Sequence, residues 1–283
     1  MPLISVPTKD NQTISLYVED YGKGDPIILI HGWPLTHRAW EGQVAHLVEQ
    51  GYRVISYDRR GFGQSDKPWS GYDYDTLAAD LQGIITELNL SNVTLAGFSM
   101  GGGEVARYIG NYGTDTLSAA MLISAVTPFM LKTDDNPNGV DKSVFEGMIE
   151  GVKADRFAFI AEWSKNFMNY DDFEEGISDA FMDFLWQQTT FAAPQAMIGC
   201  IKAFGETDFR DDLKKFDIPT LIIHGGNDKI CPAEICGEAA ANYVPHATLE
   251  ILKNAPHGLN VTHRNEVNER IASFKKEPMK MTG

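Results

Sequence analysis

The sequence predicts an α/β fold: a mostly parallel sheet with helices on both faces and a helical insertion between two of its strands. Five short runs, at 26–30, 53–57, 93–98, 119–123 and 220–223, are apolar almost throughout, as parallel strands buried on both faces require. Helical patterns lie between them, so strand and helix alternate along the chain. The alternation stops after Ile123 and resumes near Asp217-Ile218-Pro219, leaving roughly 85 residues, far more than an ordinary connection.

Taken in order, residues 13–20 alternate Ile14, Leu16 and Val18 with polar neighbours, the period of a half-buried strand. The run 26–30 is the first strand apolar on both faces. A helix follows over 40–50, then the strand 53–57. Tyr74, Leu77, Leu81, Ile84, Ile85 and Leu88 recur at three- and four-residue steps, the stripe of an amphipathic helix. The apolar run from Asn92 ends at Gly97-Phe98-Ser99-Met100-Gly101, and a helix pattern begins by Glu104. The strand 119–123 precedes the long gap, which is rich in aromatics such as Phe129, Phe157, Trp163, Phe167 and Trp186 at mostly helical spacing. Residues 128–206 read as a helical cap on a core made of 1–127 and 207–283. The cap's aromatics would wall off an apolar pocket above the serine-bearing edge of the sheet. Strands at 220–223 and 249–252 complete the core.

Composition narrows the partners. With 24 basic against 39 acidic residues the formal charge is −15, which repels phosphate backbones and anionic membrane surfaces, so no nucleic acid or membrane partner is expected. Acidic runs such as Asp134-Asp135, Asp171-Asp172, Glu174-Glu175 and Asp211-Asp212 lack the alternating oxygen spacing of a calcium loop and read as solvated surface. The segment 1–7 lacks the pattern of a secretory signal, and no run approaches membrane-spanning length. Cys200, Cys231 and Cys236, odd in number, suit free thiols in a reducing compartment, and the expected location is cytoplasmic. No metal-binding or haem-ligand motif is present, so no metal or other cofactor is expected.

Chemistry concentrates at Ser99. A serine between glycines at a tight strand-to-helix turn is held in a strained conformation with its hydroxyl exposed, the geometry of a nucleophile elbow. The pattern alone arises by chance in roughly one chain in ten of this length; its context raises it. A serine hydroxyl needs a base oriented by an acid. Asp228 stands just past the strand 220–223, and His257 follows the strand 249–252, so Ser99, Asp228 and His257 fall at strand ends along one sheet edge. His31 and His224 each end a strand before a glycine and read as loop braces. Glu206 and Asp208 precede the strand that an acid should follow. Donors for a developing oxyanion are expected from the Met100 N–H and from the Trp33 N–H in the loop His31-Gly32-Trp33-Pro34. Pro34 has no N–H and restricts Trp33 to extended backbone.

His31-Gly32-Trp33-Pro34-Leu35, the stretch from Tyr57 to Ser65, the elbow with its triple glycine 101–103, and Pro256-His257-Gly258 resemble the α/β-hydrolase family of cofactor-free bacterial haloperoxidases, aryl esterases and perhydrolases. Ala125-Val126-Thr127-Pro128 and Thr207-Asp208-Phe209-Arg210 extend the similarity over nearly the whole chain. The resemblance implies an α/β-hydrolase fold with a mostly parallel eight-stranded sheet. It also implies Ser99, Asp228 and His257 as a triad, Trp33 and Met100 as oxyanion donors, and Val126 and Ile230 in an acyl pocket. Pro34, Phe129 and Trp163 complete the expected substrate contacts. Ala233 stands where some relatives carry a larger aromatic residue, which would widen the pocket. The implied chemistry is hydrolysis of small acyl or aryl esters through an acyl-enzyme. Hydrogen peroxide can replace water as acceptor, and the released peracid oxidises halide. Pro34 supplies the proline associated with that activity. Relatives imply a homo-oligomer, trimeric or larger.

Two other readings remain at this point. The same triad can open a γ-lactam, and a hydrolase fold can serve as a non-catalytic ligand sensor. Haloalkane dehalogenase and epoxide hydrolase chemistry are disfavoured, because they use an aspartate where this chain has Ser99.

Overall fold

A computed structural model describes residues 3–7, 13–172 and 176–274. The acidic pair Glu174-Glu175 and the first two residues of the segment 1–7 lie outside the described residues. The elements run β1 (Leu3–Pro7), β2 (Thr13–Gly22), β3 (Pro26–Ile30), α1 (Glu41–Glu49), β4 (Arg53–Tyr57), α2 (Tyr74–Glu87), β5 (Val93–Phe98), α3 (Met100–Tyr112) and β6 (Leu117–Ile123). After these come α4 (Lys142–Met168), α5 (Asp179–Thr190), α6 (Pro194–Glu206), α7 (Arg210–Leu213), β7 (Thr220–Gly225), α8 (Gly237–Ala241), β8 (Thr248–Leu252), α9 (Leu259–Thr262) and α10 (Arg264–Phe274).

The eight strands form one sheet in the order β1-β2-β4-β3-β5-β6-β7-β8. From β4 onward every pairing is parallel, while β1 with β2 and β2 with β4 are antiparallel. The burial patterns explain both halves. β3, β5 and β7 are buried at every position, because helices cover both faces of the parallel part. β2 buries alternate residues, since one face there meets water. The sequence pattern did not reveal β1, whose short run buries only Ile4 and Val6.

Two apolar layers result, one on each face of the sheet. One gathers Ile28, Leu81, Leu95 and Ile109, the other Ile27, Leu47, Met121 and Ile271. The segment between β6 and β7 meets the loops that follow β3 and β4, where the Trp33 indole donates to Met197 and the Ala193 N–H to Gly61, and it joins both layers through Trp163. Its helix α4 is broken at Asp155, which leaves the helical region and accepts the backbone N–H of Phe157 and Ala158 on its own carboxylate. Among the described residues no helix is long and apolar enough to cross a membrane.

Candidate active site

Ser99 sits between β5 and α3 with φ +54° and ψ −119°, a conformation that costs a non-glycine residue energy and persists only where its surroundings fix it. The flanking glycines serve close approach. A Cβ on Gly97 would stand 2.3 Å from the Gly101 carbonyl oxygen, and one on Gly101 would stand 2.4 Å from that of Ile30. Backbone hydrogen bonds from Ser99 N–H to Ile123 and from Gly102 N–H to Ser99, both 2.9 Å, lock the turn.

His257 Nε2 lies 2.9 Å from Ser99 Oγ, and His257 Nδ1 lies 2.7 Å from Asp228 Oδ2. The three sequence-selected residues are therefore joined in one hydrogen-bonded chain, and all three are buried. Asp228 Oδ1 accepts the N–H groups of Ile230 and Cys231 at 2.9 and 2.8 Å. Burial alone would raise the Asp228 carboxyl, but the electrostatic attraction of His257 and hydrogen bonds from His224 and His257 hold it far below the usual carboxylate range. An ionised Asp228 only accepts, so His257 Nδ1 carries the proton and Nε2 is left to accept from the serine hydroxyl. The His257 ring packs against Phe98 and Phe167, with centroids 5.2 and 5.0 Å away.

Of the two expected oxyanion donors, Met100 follows Ser99 directly in the chain and Trp33 lines the same cavity as Ser99. Met100 opens α3, so its N–H has no acceptor within the helix. Trp33 is 2 % exposed and its indole N–H reaches the Met197 carbonyl of α6 at 3.2 Å. Its ring meets Trp163 edge-on at 5.2 Å. The Trp33–Pro34 peptide bond is cis. Behind this loop His31 accepts the Arg59 N–H on Nε2, and Arg59 donates to the His31 carbonyl at 2.8 Å and to Glu104 on α3 at 2.8 Å. Tyr57 also hydrogen-bonds Glu104. Burial and the Arg59 charge push the His31 pKa down to about 3, so the ring stays neutral.

A cavity of about 180 Å³ opens beside Ser99, with Trp33, Val126, Trp163 and Ile230 in its wall. Two expected contacts do not line this cavity. Phe129 lies outside the lining, beneath the Arg210 guanidinium at 5.3 Å, and its neighbour Met130 faces the cavity instead. Pro34 is buried within its loop and also stands outside the lining. Ala233 does not border the cavity either. Asp208, a competing acid in the sequence, is paired with Arg210 at 2.6 Å.

Sequence reasoning missed His224 as more than a loop brace. Its Nε2 bonds the Cys231 carbonyl at 2.7 Å and also lies 3.3 Å from Asp228 Oδ2. The four-residue spacing across a strand end was the available signal. His37 was also passed over; it holds Asp58 at 2.7 Å.

A model of the alpha/beta hydrolase fold matches residues 25–263. The chain belongs to the α/β-hydrolase family. Its similarity to a non-heme chloroperoxidase of Kitasatospora aureofaciens is 40% identity, covering 92% of this chain and 93% of that one. A bifunctional esterase/perhydrolase of Acinetobacter calcoaceticus is 35% identical, covering 95% of this chain and 98% of its own. The crystal structure of a bromoperoxidase from Bacillus anthracis superposes with a TM-score of 0.93 at 47% identity, covering 97% of this chain and all of that one. The α/β-hydrolase is thus similar along nearly its whole length to haloperoxidase- and esterase-named proteins.

Proposed function

We propose that this α/β-hydrolase is a serine hydrolase of small acyl and aryl carboxylic esters that also transfers the acyl group to hydrogen peroxide. The observation that carries this reading is the unbroken relay from Asp228 through His257 to Ser99, 2.7 and 2.9 Å, opening on a small apolar cavity. Ser99 Oγ attacks the ester carbonyl while His257 Nε2 takes its proton, and buried Asp228 stabilises the imidazolium. The Met100 and Trp33 N–H groups receive the oxyanion. His257 then protonates the departing alcohol, leaving the acyl group on Ser99. Water regenerates the acid; hydrogen peroxide yields a peracid, which oxidises halide after release. The cap role of residues 128–206 belongs to the same proposal, supported by Trp163 in the cavity wall. The names of the Acinetobacter and Kitasatospora relatives support the esterase and perhydrolase parts.

A fluorophosphonate probe followed by intact-mass measurement tests the nucleophile. One adduct is expected on the wild type and none on Ser99→Ala, with ester hydrolysis and acetate-dependent peracid formation lost together. An unlabelled wild type would favour the ligand-sensor reading, and faster turnover of γ-lactams than of phenyl esters would favour amide hydrolysis.

A further inference from the structure

Three of the fourteen residues lining the cavity beside Ser99 carry sulfur: Met130, Met148 and Cys231. They are not equally available. Met130 is 4 % exposed and its Sδ is engaged by Cys236 Sγ at 3.4 Å. Cys231 is buried, and the Cys236 contact together with that burial pushes its thiol well up, so it stays protonated and a poor nucleophile. Met148 lies on the first half of α4, half-buried and facing the cavity. Among the described residues no hydrogen bond occupies its sulfur. A thioether attacks peroxidic oxygen without first losing a proton, so the order of reactivity inside the cavity favours Met148.

We propose that Met148 is a self-modification site, oxidised to the sulfoxide by peracid formed at Ser99 before that peracid leaves the cavity. The inference rests on the perhydrolase reading above. The sulfur lone pair attacks the terminal oxygen of the peroxy acid, the O–O bond breaks, and the peroxy proton passes to the departing carboxylate. Sulfur loses two electrons, and the peracid is reduced to the parent carboxylic acid. The co-reactants are the acyl donor and hydrogen peroxide alone. A polar sulfoxide then replaces an apolar wall, so apolar acyl groups fit less well and peracid output limits itself. Methionine sulfoxide reductases would restore the thioether.

The test mixes wild-type enzyme with heavy-isotope-labelled Ser99→Ala in one vessel with acetate and hydrogen peroxide, so that both chains meet the same free oxidant. Met148 sulfoxide is read by mass spectrometry against Met182, which stands on α5 outside the cavity lining. Met148 oxidation should exceed that of the labelled chain by about fivefold or more, because peracid is concentrated where it forms, while Met182 is oxidised equally in both. In parallel, Met148→Leu should lose activity during peracid formation more slowly than wild type, each measured against its own initial rate. Peracid output with equal Met148 oxidation in both chains overturns this inference alone. No peracid at all overturns it together with the perhydrolase reading.

Discussion

His224 Nε2 lies 3.3 Å from Asp228 Oδ2, the same oxygen that holds His257 Nδ1 at 2.7 Å. Asp228 is therefore steadied from two sides, one on the relay and one behind it. With the Ile230 and Cys231 N–H groups on its other oxygen, the carboxylate has little freedom to rotate. Within the proposed mechanism His224 is a positioning residue.

Replacing it separates that role from packing. His224→Leu removes the 2.7 Å bond to the Cys231 carbonyl and the 3.3 Å approach to Asp228, and should lower kcat by the net worth of an ordinary hydrogen bond, about 0.5–1.5 kcal/mol, with KM nearly unchanged. His224→Gln can place an N–H near the original Nε2 and should recover part of the loss. Steady-state kinetics on a phenyl ester decide it, and an equal loss in both variants would reduce His224 to a space-filling residue.

Asp228→Asn keeps the shape and changes the proton. An amide can donate to His257 Nδ1, which turns the ring to the tautomer unable to accept from Ser99, so kcat should fall on the order of 10⁴-fold. Stability carries the same signature. A carboxyl whose folded pKa lies below its unfolded value, near 3.9, contributes stability that is complete above about pH 4 and is lost as pH falls toward the folded pKa. Asp228 is such a group: burial would raise it, but His257 and His224 hold it low. Melting temperature should therefore decline below about pH 4, and Asp228→Asn should show a shallower decline than wild type.

The Arg59–Glu104 pair ties the Trp33 loop to the helix that follows Ser99. Both side chains are 1 % exposed. Glu104→Ala leaves a buried guanidinium unpaired and should destabilise by about 3–5 kcal/mol, measured by urea denaturation. Wild-type stability in that variant would mean that water reaches Arg59.

Gly101→Ala tests the close approach at the elbow. Its methyl would stand 2.4 Å from the Ile30 carbonyl oxygen, and overpacking of this kind costs about 1–3 kcal/mol. Backbone gives less readily than side chains, so the upper end is expected, together with loss of phenyl ester turnover. Thermal melting and a rate assay check both.

The sheet was legible because helices on both faces leave almost no polar position in β3, β5 and β7. The site was legible because each of its three side chains follows a strand, and a strand end fixes direction. The place of Phe129 was not legible, for the opposite reason. It lies in the irregular stretch between β6 and α4, where no period tells which way a ring faces, and its place beneath Arg210 depends on a residue 81 positions later (210 − 129). His224 reads as a brace because its four-residue spacing to Asp228 crosses a turn, and only the folded backbone brings the two side chains together. The Arg59–Glu104 contact spans 45 residues, and neither residue announces the other.

The break in α4 lets its two halves shape the cavity separately. A straight helix of 27 residues would run about 40 Å, too far for both ends to serve one small chamber. Folded at Asp155, the helix offers two independent walls: Val144 and Met148 from one half, Phe159 and Trp163 from the other. Only the second half carries Phe167, which supports the His257 ring. Under the proposed ester chemistry, acyl-group preference can therefore drift through the first half while the His257 ring keeps its footing on the second.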